Sequence, residues 1–257
     1  MSTKTDLAKE IIDKISPEFN AKSSFYCGKT KITKIEIKTE SDSKLIEKPM
    51  GKYLTVEADS IRHPEADFDE EVFAIKNEIS SLLPKEGDIL LVALGNRFLT
   101  ADSLGTEAAS KSLAGSFFGR SLRVLFAEAE GKTALSPRRL IKAAVLEFNP
   151  AAVILIDSLA AEDIGHICRS IQITDAGIIP GSGIRREKSA INKEYLGIPV
   201  LAIGTPTVIR FPEKENIMVS PNDIDVLIKR AAHLIAVAVS FAVFKELDIG
   251  FIKDLIR

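Results

Sequence analysis

Two aspartates, delivered to the chain by the same local pattern, are where this sequence can be read for chemistry. Asp102 lies in DILLVALGNRFLTADSLG (88–105). There the aliphatic run Ile89–Leu94 reads as a buried strand, Gly95-Asn96 makes a sharp exit, and SLGTEAASKSLAG (103–115) is compatible with a helix. Asp157 ends VILID (153–157), a second buried strand. Acids beyond the carboxyl ends of parallel strands sit where open α/β sheets bind ligands. If the two strands are neighbours, both carboxyls face one crevice, and two carboxylates that close cannot both ionise cheaply. The ionised member then takes a proton from water while the protonated one donates to a carbonyl or leaving group, which is hydrolysis without a covalent intermediate. Each aspartate alone reads as a helix cap before it reads as a catalytic group. A pair of carboxylates also suits a hard cation, although neither motif contains a histidine.

The elements that must position these acids follow from periodicity. KTKITKIEIK (29–38) and YLTVEA (53–58) read as strands with one wet face, and Phe68, Val72, Ile75, Ile79 and Leu82 mark an amphipathic helix. LRVLF (122–126), IQIT (171–174) and PVLAIG (199–204) are further strands. Ser136-Pro137 opens a helix that Pro150 closes, and a largely apolar helix runs from about Asn222 to Leu247. Residues 5–15 read as a short helix capped by Asp6. Strands alternating with helices imply a three-layer α/β/α fold with a mostly parallel sheet, the lysine-rich N-terminal pair adding antiparallel strands at one edge. With no repeat or low-complexity linker, residues 1–257 are expected to form one domain.

Composition bounds the partners. The 257 residues carry a formal net charge of −2, so strong attraction to nucleic-acid backbones is not expected. The start of the chain lacks the apolar stretch of a signal peptide, and the apolar run Leu234–Phe244, interrupted by Ser240, is too short to span a bilayer. Cys27 and Cys168 have neither metal-ligand spacing nor disulfide density, so a reducing, intracellular compartment is expected, with no cofactor. TDAGIIPGSGIRR (174–186) is a glycine-rich loop without P-loop spacing; Arg185 and Arg186 at its end and Lys188 beyond it read as a solvated basic patch or, near a cleft, as receivers of acidic substrate side chains. His63, His166 and His233 are scattered, and no Gly-x-Ser-x-Gly elbow is present.

Taken in order, TDLAKE (5–10), GKYLTVEA (51–58), LGNRFLTADSLG (94–105), VILIDSLAA (153–161), IQITDAGIIPGSG (171–183), LGIPVLAIGTPT (196–207) and MVSPNDIDVL (218–227) resemble the germination proteases of spore-forming bacteria. The resemblance covers nearly the whole chain. It implies a phosphorylase/hydrolase-like fold similar to that of hydrogenase-maturation endopeptidases, which bind nickel through acidic residues at comparable places. It implies an atypical aspartic endopeptidase that degrades small acid-soluble spore proteins during germination, with its two essential aspartates at Asp102 and Asp157. Synthesis as a zymogen, assembly as a tetramer and residence in the cytoplasm of the forespore or spore core are implied as well. TDLAKE matches the family's cleavage pattern, which makes Asp6–Leu7 the expected processing site and residues 1–6 a short propeptide. Two departures stand out: the Asp102 loop reads TADSLG where the family commonly has a proline before the aspartate, and after GTPTVIRF (204–211) a long insertion is missing. The shortness is shared with a related group of sporulation proteins, so a non-catalytic protein of the same fold that binds a peptide or partner is the alternative expectation.

Overall fold

Alternation along the central strands decides the layering in this computed structural model, which describes residues 5–15, 21–127, 136–179, 190–211 and 217–256. Within these, ten strands form one sheet. They are β1 (Lys22–Cys27), β2 (Thr30–Ile37), β3 (Gly51–Glu57), β4 (Ile89–Ala93), β5 (Gly115–Phe117), β6 (Arg120–Phe126), β7 (Ala152–Ala161), β8 (Ser170–Thr174), β9 (Val200–Arg210) and β10 (Met218–Val219). The helices are α1 (Ala8–Ile15), α2 (Glu40–Ile46), α3 (Phe68–Leu82), α4 (Leu104–Lys111), α5 (Pro137–Phe148), α6 (Lys193–Leu196), α7 (Ile224–Val243) and α8 (Ile249–Leu255). Ile89, Leu91, Ala93, Ile154 and Ile156 pack under α3, α4 and α7, while Leu90, Val92, Val153 and Leu155 pack under α5 and α6. At the other end of that second face, Ile35, Ile37 and Tyr53 are covered by Ile11 and Ile12 of α1 and Ile46 of α2. The expected α/β/α layering is present.

The strand order is β1-β2-β3-β8-β9-β7-β4-β6-β5, with β10 added to β9. Pairing is parallel only among β9, β7, β4 and β6 and antiparallel elsewhere, so the sheet is mixed around a parallel centre. The sequence points to antiparallel strands at one edge; β5 and β10 add others, in runs too short to show alternation. Helix α3 has the boundaries its periodicity predicts, with Asp67 accepting from the Glu70 N–H at its start.

Two readings are corrected. The apolar C-terminal helix α7 is, at 20 residues, long and apolar enough to cross a bilayer, not too short. Fourteen of its residues are nonetheless buried inside the protein, against α3 and α4 among other elements, so its composition is that of a central core helix. Ser240, apparently an interruption, accepts the Leu113 N–H at 3.0 Å and so satisfies the backbone just after α4. Asp6 does not cap α1, which begins only at Ala8; its carboxylate is used elsewhere.

Candidate active site

Strand β4 ends at Ala93, where its ladder with β7 reaches Ile156, and one more bond, Leu94 N–H to the Ile156 carbonyl at 2.9 Å, closes the pairing. The chain then turns at Gly95, whose φ of +94° suits glycine and whose missing side chain leaves room for the Asp102 backbone and carboxyl that lie over it. A loop returns through a single 3-10 turn, Thr100–Asp102, pinned by Asn96 N–H to the Asp102 carbonyl (2.9 Å) and by the Thr207 hydroxyl to the Ala101 carbonyl (2.6 Å). Immediately afterwards α4 lies against the sheet backbone. A Cβ on Gly105 would stand 2.4 Å from both the Leu94 and the Ile156 carbonyl oxygens, so only glycine permits this approach. The loop therefore delivers Asp102 to the carboxyl end of β4 at a height fixed by backbone contact with β7.

Strand β7 outlasts β4. It continues to Ala161, pairing along its other edge with β9, Asp157 opposite Gly204. Asp157 thus lies within the strand and not at its end as the sequence suggests, because SLAA (158–161) carries no β signal of its own. Its side chain shares the face of Val153 and Leu155, and it is 8% exposed.

Both acids hold their protons more tightly than ordinary aspartates. Burial raises the Asp102 pKa to about 6, an effect partly offset by the Asn96 N–H. Asp157 lies well above the usual range, first because it is buried, then because the charges of Asp102 and Asp6 oppose its own. The two sequence-chosen aspartates, one in the turn that follows β4 and one within the adjacent parallel strand β7, are therefore electrostatically coupled. Ser158 N–H donates to the Asp157 carboxyl at 2.9 Å. Among the described residues no group of three or more His, Cys, Asp or Glu side chains is arranged to hold a metal ion.

From Asp157 onward the β4-side edge of β7 is free of β4, and the N-terminal segment takes it. Asp6 N–H donates to the Ala160 carbonyl and the Ala160 N–H donates to the Asp6 carboxylate, both at 2.8 Å. Gln172 of β8 clamps the next peptides: its amide N–H donates to the Asp6 carbonyl at 3.2 Å and its oxygen accepts the Ala8 N–H at 3.0 Å. Lys48 donates to the Thr5 carbonyl at 3.1 Å. A cavity of about 240 Å³ opens here, lined by Asp157, Asp6, Lys48, Gln172, Tyr53 and Arg210 among others. Asp6 thus lines the cavity and Leu7, next in sequence, is buried in the core, whereas Arg185, Arg186 and Lys188 lie outside the described residues. Lys48, Gln172 and Arg210 are given no role by the sequence, since only the sheet order brings β3, β8 and β9 beside β7. Exposed Phe98 and Leu99, on the loop before Asp102, were also without a signal. Cys168 is fully buried, with burial pushing its thiol up to about 12, and His233 stacks on Phe68, so neither resembles a nucleophile or base.

The family model described as germination protease matches residues 17–212, a span that includes both aspartates. This chain belongs to the germination protease family. The germination protease of Caldanaerobacter subterraneus is 36% identical over 193 residues, covering 70% of this chain and 60% of that protein. The germination proteases of Priestia megaterium and Bacillus subtilis are 34% and 32% identical over 218 and 219 residues, covering 77% and 79% of this chain and 57% and 58% of theirs. The chain thus spans about three-fifths of the length of these germination proteases. Among solved structures, a [NiFe] hydrogenase maturation protease, HycI, from Thermococcus kodakarensis is 17% identical with a TM-score of 0.41, covering 63% of this chain and 98% of that one.

Proposed function

We propose that this protein is an endopeptidase that degrades small acid-soluble spore proteins during germination, with Asp102 and Asp157 activating a water molecule. The observation that carries the reading is that two electrostatically coupled acids, one in the turn after β4 and one within the neighbouring β7, both hold their protons more tightly than ordinary aspartates. Burial and the opposing charges of Asp102 and Asp6 hold Asp157 toward its protonated form, while Asp102 titrates at about 6, which supports Asp102 as the base and Asp157 as the acid. Asp102 removes a proton from water as its oxygen bonds to the scissile carbonyl carbon, and Asp157 gives its proton to the carbonyl oxygen. On collapse the C–N bond breaks, the amine takes the proton held by Asp102, and the intermediate returns one to Asp157. Amide and water are thereby converted to acid and amine, with both aspartates restored.

An extended substrate fits the free edge of β7, where main-chain groups of residues 157–161 can pair with it as the N-terminal segment now does. This position supports Asp6–Leu7 as a self-processing site, with residues 1–6 a propeptide that blocks the groove before cleavage. Arg185, Arg186 and Lys188 are assigned to acidic substrate side chains, the spore core to its location, and a homotetramer to its assembly, with no nucleic acid or membrane contact. The protease domain comprises the whole chain.

The N-terminal segment lying in the groove also suits a non-catalytic sporulation protein that binds a peptide there. The test is incubation of the purified chain with a small acid-soluble spore protein and mass-spectrometric mapping of fragments. Discrete cuts that disappear in Asp102→Asn and in Asp157→Asn support the enzyme. Intact substrate under all conditions, with binding retained, supports the alternative.

A further inference from the structure

The cavity beside Asp157 has a polarity that the two catalytic acids do not require. Lys48 is held in place at the end of α2, where its backbone carbonyl accepts the Ser43 hydroxyl at 2.7 Å and its N–H reaches the Ser43 carbonyl at 3.2 Å. Arg210, the last residue of β9, lines the same cavity, and its Nε is enclosed without a hydrogen-bond partner among the described residues. Asp6 lines the same cavity, its carboxylate charge acts on Lys48, and it is fixed by the paired bonds to Ala160. Glu47, exposed, stands at the rim of the same cavity.

We propose that Lys48 and Arg210 form a specificity subsite for the acidic side chain on the amino side of the bond to be cut, and that Asp6 occupies it in this structure. The inference rests on the endopeptidase reading and deepens it by naming which residues choose the substrate. Its geometry is that of an intramolecular substrate. The Asp6 backbone pairs with β7, its carbonyl faces the Gln172 amide, and the adjoining Thr5 carbonyl takes the Lys48 ammonium. The charge balance agrees: burial lowers the Lys48 pKa, the Asp6 carboxylate acts against that, and Arg210 adds to it. Two cations in a partly dry pocket are unfavourable without an anion between them, and an acidic side chain supplies it. An amide side chain of the same shape leaves both cations uncompensated, which is the basis for discrimination.

The test uses the full chain and peptides Thr-X-Leu-Ala-Lys-Glu with X as Asp, Asn or Lys. The wild type is expected to cut the Asp peptide at least about tenfold faster than the Asn peptide. Lys48→Met and Arg210→Gln are each expected to erase most of that ratio by slowing the Asp peptide alone, and Lys48→Glu to shift preference toward X as Lys. Equal rates for Asp and Asn peptides, or a uniform loss across all three, overturn the subsite while leaving the endopeptidase intact. A second readout needs no turnover: amide hydrogen exchange over residues 7–12. Asp6→Lys is expected to speed it about tenfold, and Lys48→Glu added to Asp6→Lys to slow it again. If no peptide is cut by the wild type, the endopeptidase reading falls and this exchange decides the subsite. Failure of the charge pair to restore protection overturns it.

Discussion

Replacing Asp102 by asparagine is expected to stabilise the protein at neutral pH while removing its activity. The native carboxyl titrates at about 6, above the ordinary 3.8, so between those values the folded chain binds more protons than the unfolded one. Stability is therefore lost as pH rises through that window, and the loss is complete above it. A shift from 3.8 to about 6 corresponds to a ceiling of roughly 3 kcal/mol. Asp102 is only partly buried, so solvent screening reduces this to about 1–2 kcal/mol. Asparagine has similar volume and no charge to desolvate. Thermal melts at pH 7.5 should thus show the variant about 2–6 °C more stable, with the difference fading below pH 4. A variant that is less stable at pH 7.5, or whose advantage is the same at pH 4 and 7.5, refutes the argument that the site is held at an electrostatic cost.

Other expectations follow from the same geometry. Peptide cleavage should rise with pH as Asp102 ionises around 6 and fall again at higher pH as Asp157 loses its proton, a bell measured as kcat/KM across pH 4–10. Gly105→Ala should destabilise by about 1–3 kcal/mol and also abolish cleavage, because its Cβ forces α4 and the Asp102 turn off β4 and β7; thermal melts and peptide assays check both. Ser240→Ala should cost about 1 kcal/mol in thermal melts by removing the partner of the half-buried Leu113 N–H, with kcat/KM unchanged.

What the sequence reveals and what it hides divide along a physical line. The parallel centre is legible because buried strands and amphipathic helices carry strong periodicity, α3 being the clearest case. The two aspartates are legible because each comes after a run of aliphatic strand residues, and strand adjacency is a modest assumption in an α/β sheet. The length of β7 is not, since Ser158 to Ala161 read as easily as helix, and it is this overhang that creates the groove. The use of Asp6 was hidden for the same reason: its partner, Ala160, is 154 residues away and bonds through its backbone, which has no signature in side-chain type. Lys48, Gln172 and Arg210 come from three separate strands or helix ends that converge only through the order β3-β8-β9-β7. The shortest strands, β5 and β10, depend on their neighbours for pairing more than on local propensity.

The most direct measurement is a carbon-13 titration of the aspartate carboxyls from pH 3 to 9, with Asp102 and Asp157 assigned through their asparagine variants. The account predicts a midpoint near 6 for Asp102, one well above the ordinary aspartate range for Asp157, and a fall in the Asp157 midpoint once Asp102→Asn removes the opposing charge. Two independent midpoints near 4, each indifferent to loss of the other acid, contradict it.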